Sequence, residues 1–362
     1  MKIIFICTKS ITFNTFLKSQ ANYLLKKGER IQVACSDSEK LDIEKNFRYK
    51  IDFPNRKIEL INIFKYIRVF KQINKLIKNN PKAIFYLHTP LASHLFRFFT
   101  YYNKLKIVYF VHGFRFTSKT NFFKAFFLKI IEIILSTRTN IFLTINNEDF
   151  HYTNLKLLRN NRCFKINGVG IDLKKNLKKI NIKKNKLKKI LVIAAYKREK
   201  GYPEILKVAE ILKDQKIKID CFGYGEYSKF NLIKFKKKLT NLSLNKFDKN
   251  LEFKISDYDV LLHLSKREGL PVALIQCLSN GLPIICYKIR GNIDLVKDNF
   301  NGFLINSYKE VENKINYLIL NNNIFNKMRI NSFNSINNNF SKERINSKIY
   351  QIIKSLQKNE KI

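Results

Sequence analysis

The chain has 362 residues, of which 45% are hydrophobic, so it can bury sizeable cores in two domains and is not a disordered basic tail. Its 69 Lys and Arg against 28 Asp and Glu give a formal net charge of +41. That charge favours nucleic acid, an anionic membrane surface or phosphorylated substrates as neighbours. Over-use of Lys, Asn, Ile and Phe, as an AT-rich coding sequence produces, accounts for a share of the excess. The six cysteines form no CxxC pair and the five histidines no ligand cluster, which argues for a reducing compartment and against a zinc site.

In chain order, the opening "MKIIFICTKS" is too short in its apolar run for a signal peptide or a membrane span and predicts a first buried strand. A helix through "FLKSQANYLLKKG" follows, ended by Gly28, and then the strand "IQVACS". "AIFYLHT" precedes a helix from Pro90, "KIVYFVHGF" precedes another, and "IFLTIN" follows. This alternation predicts a mainly parallel sheet with helices on both faces. Residues 174–189 are low in complexity and dense in Lys, as a solvated linker or surface strand would be. After them the rhythm restarts with "KILVIAA", "KGYPEILKVAEILKD" and "IKIDCFGYG", so a second α/β domain begins near 186. Ile345, Ile349, Ile352, Ile353 and Leu356 recur at helical spacing in the tail, which therefore packs on something.

The stretch "KREGLPVALIQCLSNGLPII" (266–285) carries the sharpest chemistry. "DVLLHLS" before it reads as a buried strand, Pro271 suits a first helical turn, and Gly281 and Pro283 end the helix. Glu268 then sits on a strand-to-helix turn with free backbone N–H groups behind it, where an anion could be held. An ordinary βα turn with a solvent-facing Glu has the same shape.

The chain resembles glycosyltransferase family 4, in particular bacterial capsule and exopolysaccharide enzymes. The resemblance rests on the opening βαβ unit, "HTPLASHLFR", "VYFVHGFRF", "LTINNEDF", "NGVGIDLKK", "REKGYPEIL" and the block "SKREGLPVALIQCLSNGLPIICYKIRGNIDLV" followed by "NGFLI". Each piece is weak alone; seven in order over most of the chain are specific. The resemblance implies a GT-B fold, α/β with two facing Rossmann-like domains and the active site in the cleft. The domains would be an acceptor-binding 1–173 and a nucleotide-sugar 186–339, with a helix in 340–362 crossing back to the first. It also implies retaining transfer of a hexose or N-acetylhexosamine from a nucleotide diphosphate sugar, expected to be UDP-linked. The acceptor would be a glycan, expected to be lipid-linked, in surface polysaccharide or glycoconjugate synthesis, with the enzyme cytoplasmic and peripheral on the inner membrane face.

By the same resemblance Glu268 contacts donor-sugar hydroxyls, and the N–H groups of Gly269 and Leu270 approach the sugar and diphosphate. Lys200 steadies the diphosphate leaving group. Ala195 stands where the family often has Arg, and Arg198 or Lys197 is the candidate replacement. Gln276 replaces the second acid of the family's Glu-x7-Glu pattern. It would meet the ribose with a neutral acceptor, where a charge-assisted bond is roughly twice as strong. His112 matches a strand-end histidine that lies under the donor sugar, and His88 is a candidate on the acceptor side. No cofactor and no metal are expected: "DYD" (257–259) imitates a metal-binding acid pair but directly precedes an apolar strand.

Two rival readings differ in class. A GT-B sugar-nucleotide epimerase would need acids and histidines placed for proton transfer. A non-catalytic basic protein binding membrane or nucleic acid would show Phe interleaved with Lys in exposed loops, whereas the 31 Phe fall mostly on apolar faces, so no nucleic acid is expected. An anionic membrane surface is an expected partner. Residues 56–79 place Ile61, Phe64, Ile67 and Phe70 among Lys65, Arg68, Lys71, Lys75 and Lys78, and 121–138 is greasier still.

Overall fold

The computed structural model describes residues 1–54, 62–100, 104–117, 120–157, 162–173, 187–225, 239–248, 250–336 and 338–358. The Lys-rich 174–186 and the start of the 56–79 stretch, with Ile61, lie outside them. The chain forms two compact units, Met1–Gly170 with Lys342–Ile362, and Ile171–Ser341.

In the first unit, β1 (Lys2–Ile6) runs through a helical stretch from Ser10 into α1 (Lys18–Lys26), which Gly28 follows with a left-handed φ of 79°. Then come β2 (Arg30–Cys35), β3 (Arg48–Lys50), α2 (Ile63–Lys78), β4 (Ile84–Leu87), α3 (Pro90–Phe99) and β5 (Lys106–Val111). The unit continues with α4 (Phe122–Ser136), β6 (Ile141–Thr144), α5 (Asn147–Tyr152) and β7 (Arg162–Lys165). All seven strands are parallel, in the order β3-β2-β1-β4-β5-β6-β7. Strands such as β4 and β6 are buried along their whole length, which is why they read as unbroken apolar runs.

The second unit repeats the plan with β8 (Lys189–Ile193), α6 (Tyr202–Ile211), β9 (Lys218–Gly223), β10 (Leu242–Lys246) and β11 (Val260–His263). α7 (Val272–Leu278), β12 (Ile284–Tyr287), β13 (Gly302–Ile305), α8 (Glu310–Leu320) and α9 (Asn322–Ser335) complete it. Its six parallel strands lie in the order β10-β9-β8-β11-β12-β13.

The last helix, α10 (Lys342–Lys358), belongs to the first unit. Its isoleucines 345, 349, 352 and 353 are buried, Asn346 donates to Ser19 Oγ at 3.3 Å, and Tyr350 donates to Glu29 at 3.0 Å. The amphipathic tail thus crosses back to the domain in which the chain began.

Two helices turn large apolar residues outward. α2 buries Val69, Ile73 and Leu76, while Phe64, Ile67 and Phe70, the residues that marked its apolar spacing, are exposed. α4 is inverted further: Phe122, Phe123, Phe126, Phe127, Ile130, Ile133 and Ile134 are exposed and Glu132 is buried. Glu132 accepts from Arg97 at 2.9 Å and lies 2.6 Å from His94 Nε2, both on α3. Burial alone would push the Glu132 carboxyl up; Arg97 and His94 outweigh it and hold it ionised. The buried polar contacts of Glu132 with Arg97 and His94, rather than the phenylalanines, thereby tie α4 to α3.

Candidate active site

In open parallel sheets, ligands settle at the carboxyl ends of strands where the strand order reverses. In the second unit that point lies between β8 and β11, and the chain leaving these strands carries Lys200 and Glu268. The Lys200 ammonium is 2.7 Å from Glu268 Oε1.

Glycines set this approach. Gly201, at φ 84°, follows the short turn Arg198–Lys200, and a Cβ there would fall 2.1 Å from the carbonyl oxygen of Leu264. The β8 exit is therefore pressed against the β11 exit. On the other side a Cβ at Gly291, φ 81°, would fall 2.4 Å from the Gly269 carbonyl oxygen, and Arg290 Nε donates to the Glu268 carbonyl at 3.0 Å. Glu268 is clamped from both flanks by backbone that no larger residue would fit.

Glu268 does not face solvent: its side chain is only 12% exposed. Burial by itself would raise its pKa, but His263, whose Nε2 lies 3.3 Å from Oε1, and Lys200 bring it down to about 2. Glu268 is a carboxylate throughout the physiological range. Oε1 is held by Lys200, and Oε2 has no partner among the described residues. The backbone N–H groups of Gly269 and Leu270 likewise meet no acceptor among them. Lys197 and Arg198 are exposed on the same turn as Lys200.

Pro271 caps α7 instead of occupying its first turn. Gln276, on α7, is half-buried and lines a small depression with Asp172, Glu252, Ser279 and Asn280. Its side chain has no hydrogen-bond partner among the described residues. Asp259 Oδ2 accepts the backbone N–H groups of Lys188 and Lys189, both at 2.9 Å, which is a strand-entry role. Among the described residues no group of three or more His, Cys, Asp or Glu is arranged to hold a metal ion.

In the first unit the order reverses between β1 and β4, and Thr8 and Thr89 bridge that point with hydroxyls 2.8 Å apart. Thr89 has φ 64°, a rare conformation for a β-branched residue and a genuine local strain. His88, just before it, is fully buried, so its side chain has no surface to offer an acceptor. Its Nδ1 lies 3.1 Å from Nε2 of His112, which follows β5 and is partly exposed. Burial pushes His112 down to about 4; burial first, then the neighbouring His112, holds His88 well below the ordinary histidine range. Both rings are neutral at pH 7.

Reading the sequence missed His263, hidden in an apolar strand, and Arg290 and Gly291, which act through one carbonyl and a missing Cβ. The strand-end position of His263 was its only signal. Tyr224 and Phe247 were also missed. These two exposed rings stack 4.1 Å apart beyond β9 and β10, at the same carboxyl edge as Lys200.

Two Rossmann-like sheets, each with helices, and a last helix returned to the first unit make up a GT-B fold. The model for glycosyl transferases group 1 matches residues 174–335, and the glycosyl transferase 4-like model matches residues 2–146. Together the two models span most of the chain, which is a glycosyltransferase of the family 4 type. It is 27% identical over 279 residues to the Escherichia coli UDP-Gal:alpha-D-GlcNAc-diphosphoundecaprenol alpha-1,3-galactosyltransferase, covering 72% of this chain and 71% of the relative. It is 34% identical over 174 residues to the glycosyltransferase MJ1069 of Methanocaldococcus jannaschii, covering 44% and 42%. Anabaena HepE, solved with UDP and glucose, shares the fold with a TM-score of 0.74 over 98% of this chain and 100% of that one, at 15% identity. Sucrose-phosphate synthase of Thermosynechococcus elongatus does so with a TM-score of 0.79 over 99% and 100%, at 11% identity.

Proposed function

We propose that this glycosyltransferase moves a hexose or N-acetylhexosamine from a nucleotide diphosphate sugar, expected to be UDP-linked, to a lipid-linked glycan, with retention of anomeric configuration, in surface polysaccharide synthesis. The observation that carries this reading is the Lys200–Glu268 pair at the strand-order reversal of the second unit. It supports the reading because a fixed cation can stabilise a diphosphate and a fixed carboxylate can accept hydrogen bonds from sugar hydroxyls. Lys200, with Arg198, takes the charge that develops on the departing diphosphate. Glu268 turns its unpartnered Oε2 to sugar hydroxyls, and the Gly269 and Leu270 N–H groups donate to the sugar and diphosphate oxygens. Gln276 accepts from the ribose. His112 offers its backbone carbonyl to the positive charge developing at the anomeric carbon. The E. coli relative's UDP-Gal donor and diphosphoundecaprenol-linked acceptor, and the UDP and glucose bound to HepE, support the substrate classes.

The first test is a melting-temperature panel of UDP-glucose, UDP-galactose and UDP-N-acetylglucosamine, followed by product analysis with the best binder. A donor at a hundredfold over its Kd adds about 2.7 kcal/mol of stability. A product of inverted configuration, or no shift with any nucleotide sugar, would overturn this reading.

The enzyme is placed peripherally on the inner membrane face. No helix among the described residues is long and apolar enough to cross a membrane. The outward phenylalanines and isoleucines of α4 and α2, joined by exposed Phe98 on α3, instead form an apolar surface. Exposed Lys71, Lys75, Lys78, Lys124 and Lys129 accompany it. Shallow insertion plus about 1 kcal/mol per basic residue near anionic lipid suffices for reversible attachment. Vesicles containing phosphatidylglycerol should retain the protein at low salt and release much of it at high salt. Absence of binding at low salt would reject the placement.

A further inference from the structure

Among the groups facing the first unit's carboxyl edge, the ring of His88 is a buried titratable group with no direct task in the proposed reaction. It is walled by Phe5, stacked at 5.7 Å and 6° between ring planes, by Tyr86 at 4.2 Å and by Phe110 at 5.5 Å. Its backbone N–H is fixed to the Ile6 carbonyl at 2.7 Å. Its Nε2 is buried without a partner among the described residues, and its Nδ1 meets only His112.

Two neutral imidazoles joined at 3.1 Å share one hydrogen between Nδ1 of His88 and Nε2 of His112, and this can be arranged in two ways. If His112 donates, the proton of His88 must sit on Nε2, stranded among aromatic rings as an orphaned donor. If His88 donates, its Nε2 is a bare nitrogen and no N–H is lost. An orphaned buried N–H is the rarer and costlier defect in protein interiors. The second arrangement is therefore favoured, and it leaves the proton of His112 on its Nδ1.

We propose that His88 is a positioning residue that donates its Nδ1–H to His112 Nε2 and so locks His112 in the Nδ1–H tautomer. The Nδ1–H group then becomes the one ring donor His112 can turn toward the donor sugar. This inference rests on the reading that His112 lies beside the sugar. It gives the neutral ring a defined task in addition to that of the backbone carbonyl, namely one hydrogen bond to a sugar oxygen. It also reassigns His88 from a direct contact with the acceptor to action through His112. The Thr8–Thr89 bridge, at the strained residue next to His88, holds the strand exit that aims the ring.

The experiment combines two variants with two readouts. His88→Phe fills the aromatic cage and removes the donor; His88→Asn keeps an N–H near the Nδ1 position. Imidazole nitrogen NMR is tractable with five histidines, and His112→Gln assigns the signal. In the wild type, His112 should show a protonated Nδ1 and a bare Nε2; in His88→Phe the two tautomers should mix. Turnover of the best of the three UDP-sugars should fall about 10- to 100-fold in His88→Phe, with little change in donor KM and a retained melting temperature. His88→Asn should recover most of the loss. A proton on Nε2 of wild-type His112, or full turnover in His88→Phe, would overturn the proposal. If His112→Gln also keeps full turnover, the placement of His112 itself is what fails. If His112→Gln is inactive and His88→Phe is not, only the positioning role fails.

Discussion

The two sheets share a plan but dress their carboxyl edges in opposite ways. The second unit places a fixed ion pair there: Lys200 against Glu268, with His263 behind. The first unit places two neutral imidazoles there, His88 and His112, in an aromatic cage. The same strand-end geometry thus yields a charged edge in one unit and an uncharged one in the other. What differs is only the residue type at a few strand exits and how deeply each is buried. A carboxylate survives burial when cations stand beside it, and a histidine without an acid partner surrenders its proton.

The strongest way to break this contrast is to neutralise the charged edge. Glu268→Ala should lower turnover with the best UDP-sugar by roughly 100-fold or more. Because Glu268 is largely buried and paired, the variant should also lose about 1–2 kcal/mol of stability, read from its melting transition. Near-normal turnover at saturating substrate would remove Glu268 from the site.

Acid should separate the two edges. His112 titrates near 4 in the folded chain against an ordinary 6.5, so below 6.5 the unfolded chain binds the proton first. Its contribution to stability is whole above about pH 6.5 and fades as pH falls toward 4, and His88 acts in the same sense. Glu268, near 2 against an ordinary 4.5, contributes fully above about pH 4.5 and fades toward 2. Amide exchange followed down the pH scale should therefore show the first unit loosening before the second. Simultaneous loss, or the reverse order, would contradict the assignment of neutral and charged edges.

The smallest effect concerns Gln276→Glu. A carboxylate at the ribose would strengthen one hydrogen bond by about 1 kcal/mol. Asp172 and Glu252 line the same depression and oppose a third negative charge, so the net gain in UDP affinity by calorimetry should stay below tenfold. Unchanged or weaker binding would mean that Gln276 does not meet the ribose.

Much of the frame was legible because fully buried parallel strands must be apolar end to end, and "KIIFI", "IFYL" and "VLLH" are. The short edge strands Arg48–Lys50 and Arg162–Lys165 were not, since a sheet edge demands no such run. Glu268 and Lys200 were singled out by their resemblance to family motifs, but nothing local disclosed that they touch. Contact depends on Gly201 and Gly291 letting separate backbones close to within a Cβ's reach.

The sequence by itself determined the alternation of strands and helices, the restart of that rhythm after the Lys-rich segment, and the amphipathic tail. These follow from periodicities of two to four residues, which are local. Tertiary structure alone decided which side of each helix faces inward. In α10 the isoleucines pack against the first unit, whereas in α4 the phenylalanines stay outside because Glu132 finds Arg97 and His94 within. Helical spacing can show that a helix has two faces. Which face is buried depends on partners brought from elsewhere in the chain, and a buried carboxylate is tolerable only where such partners arrive.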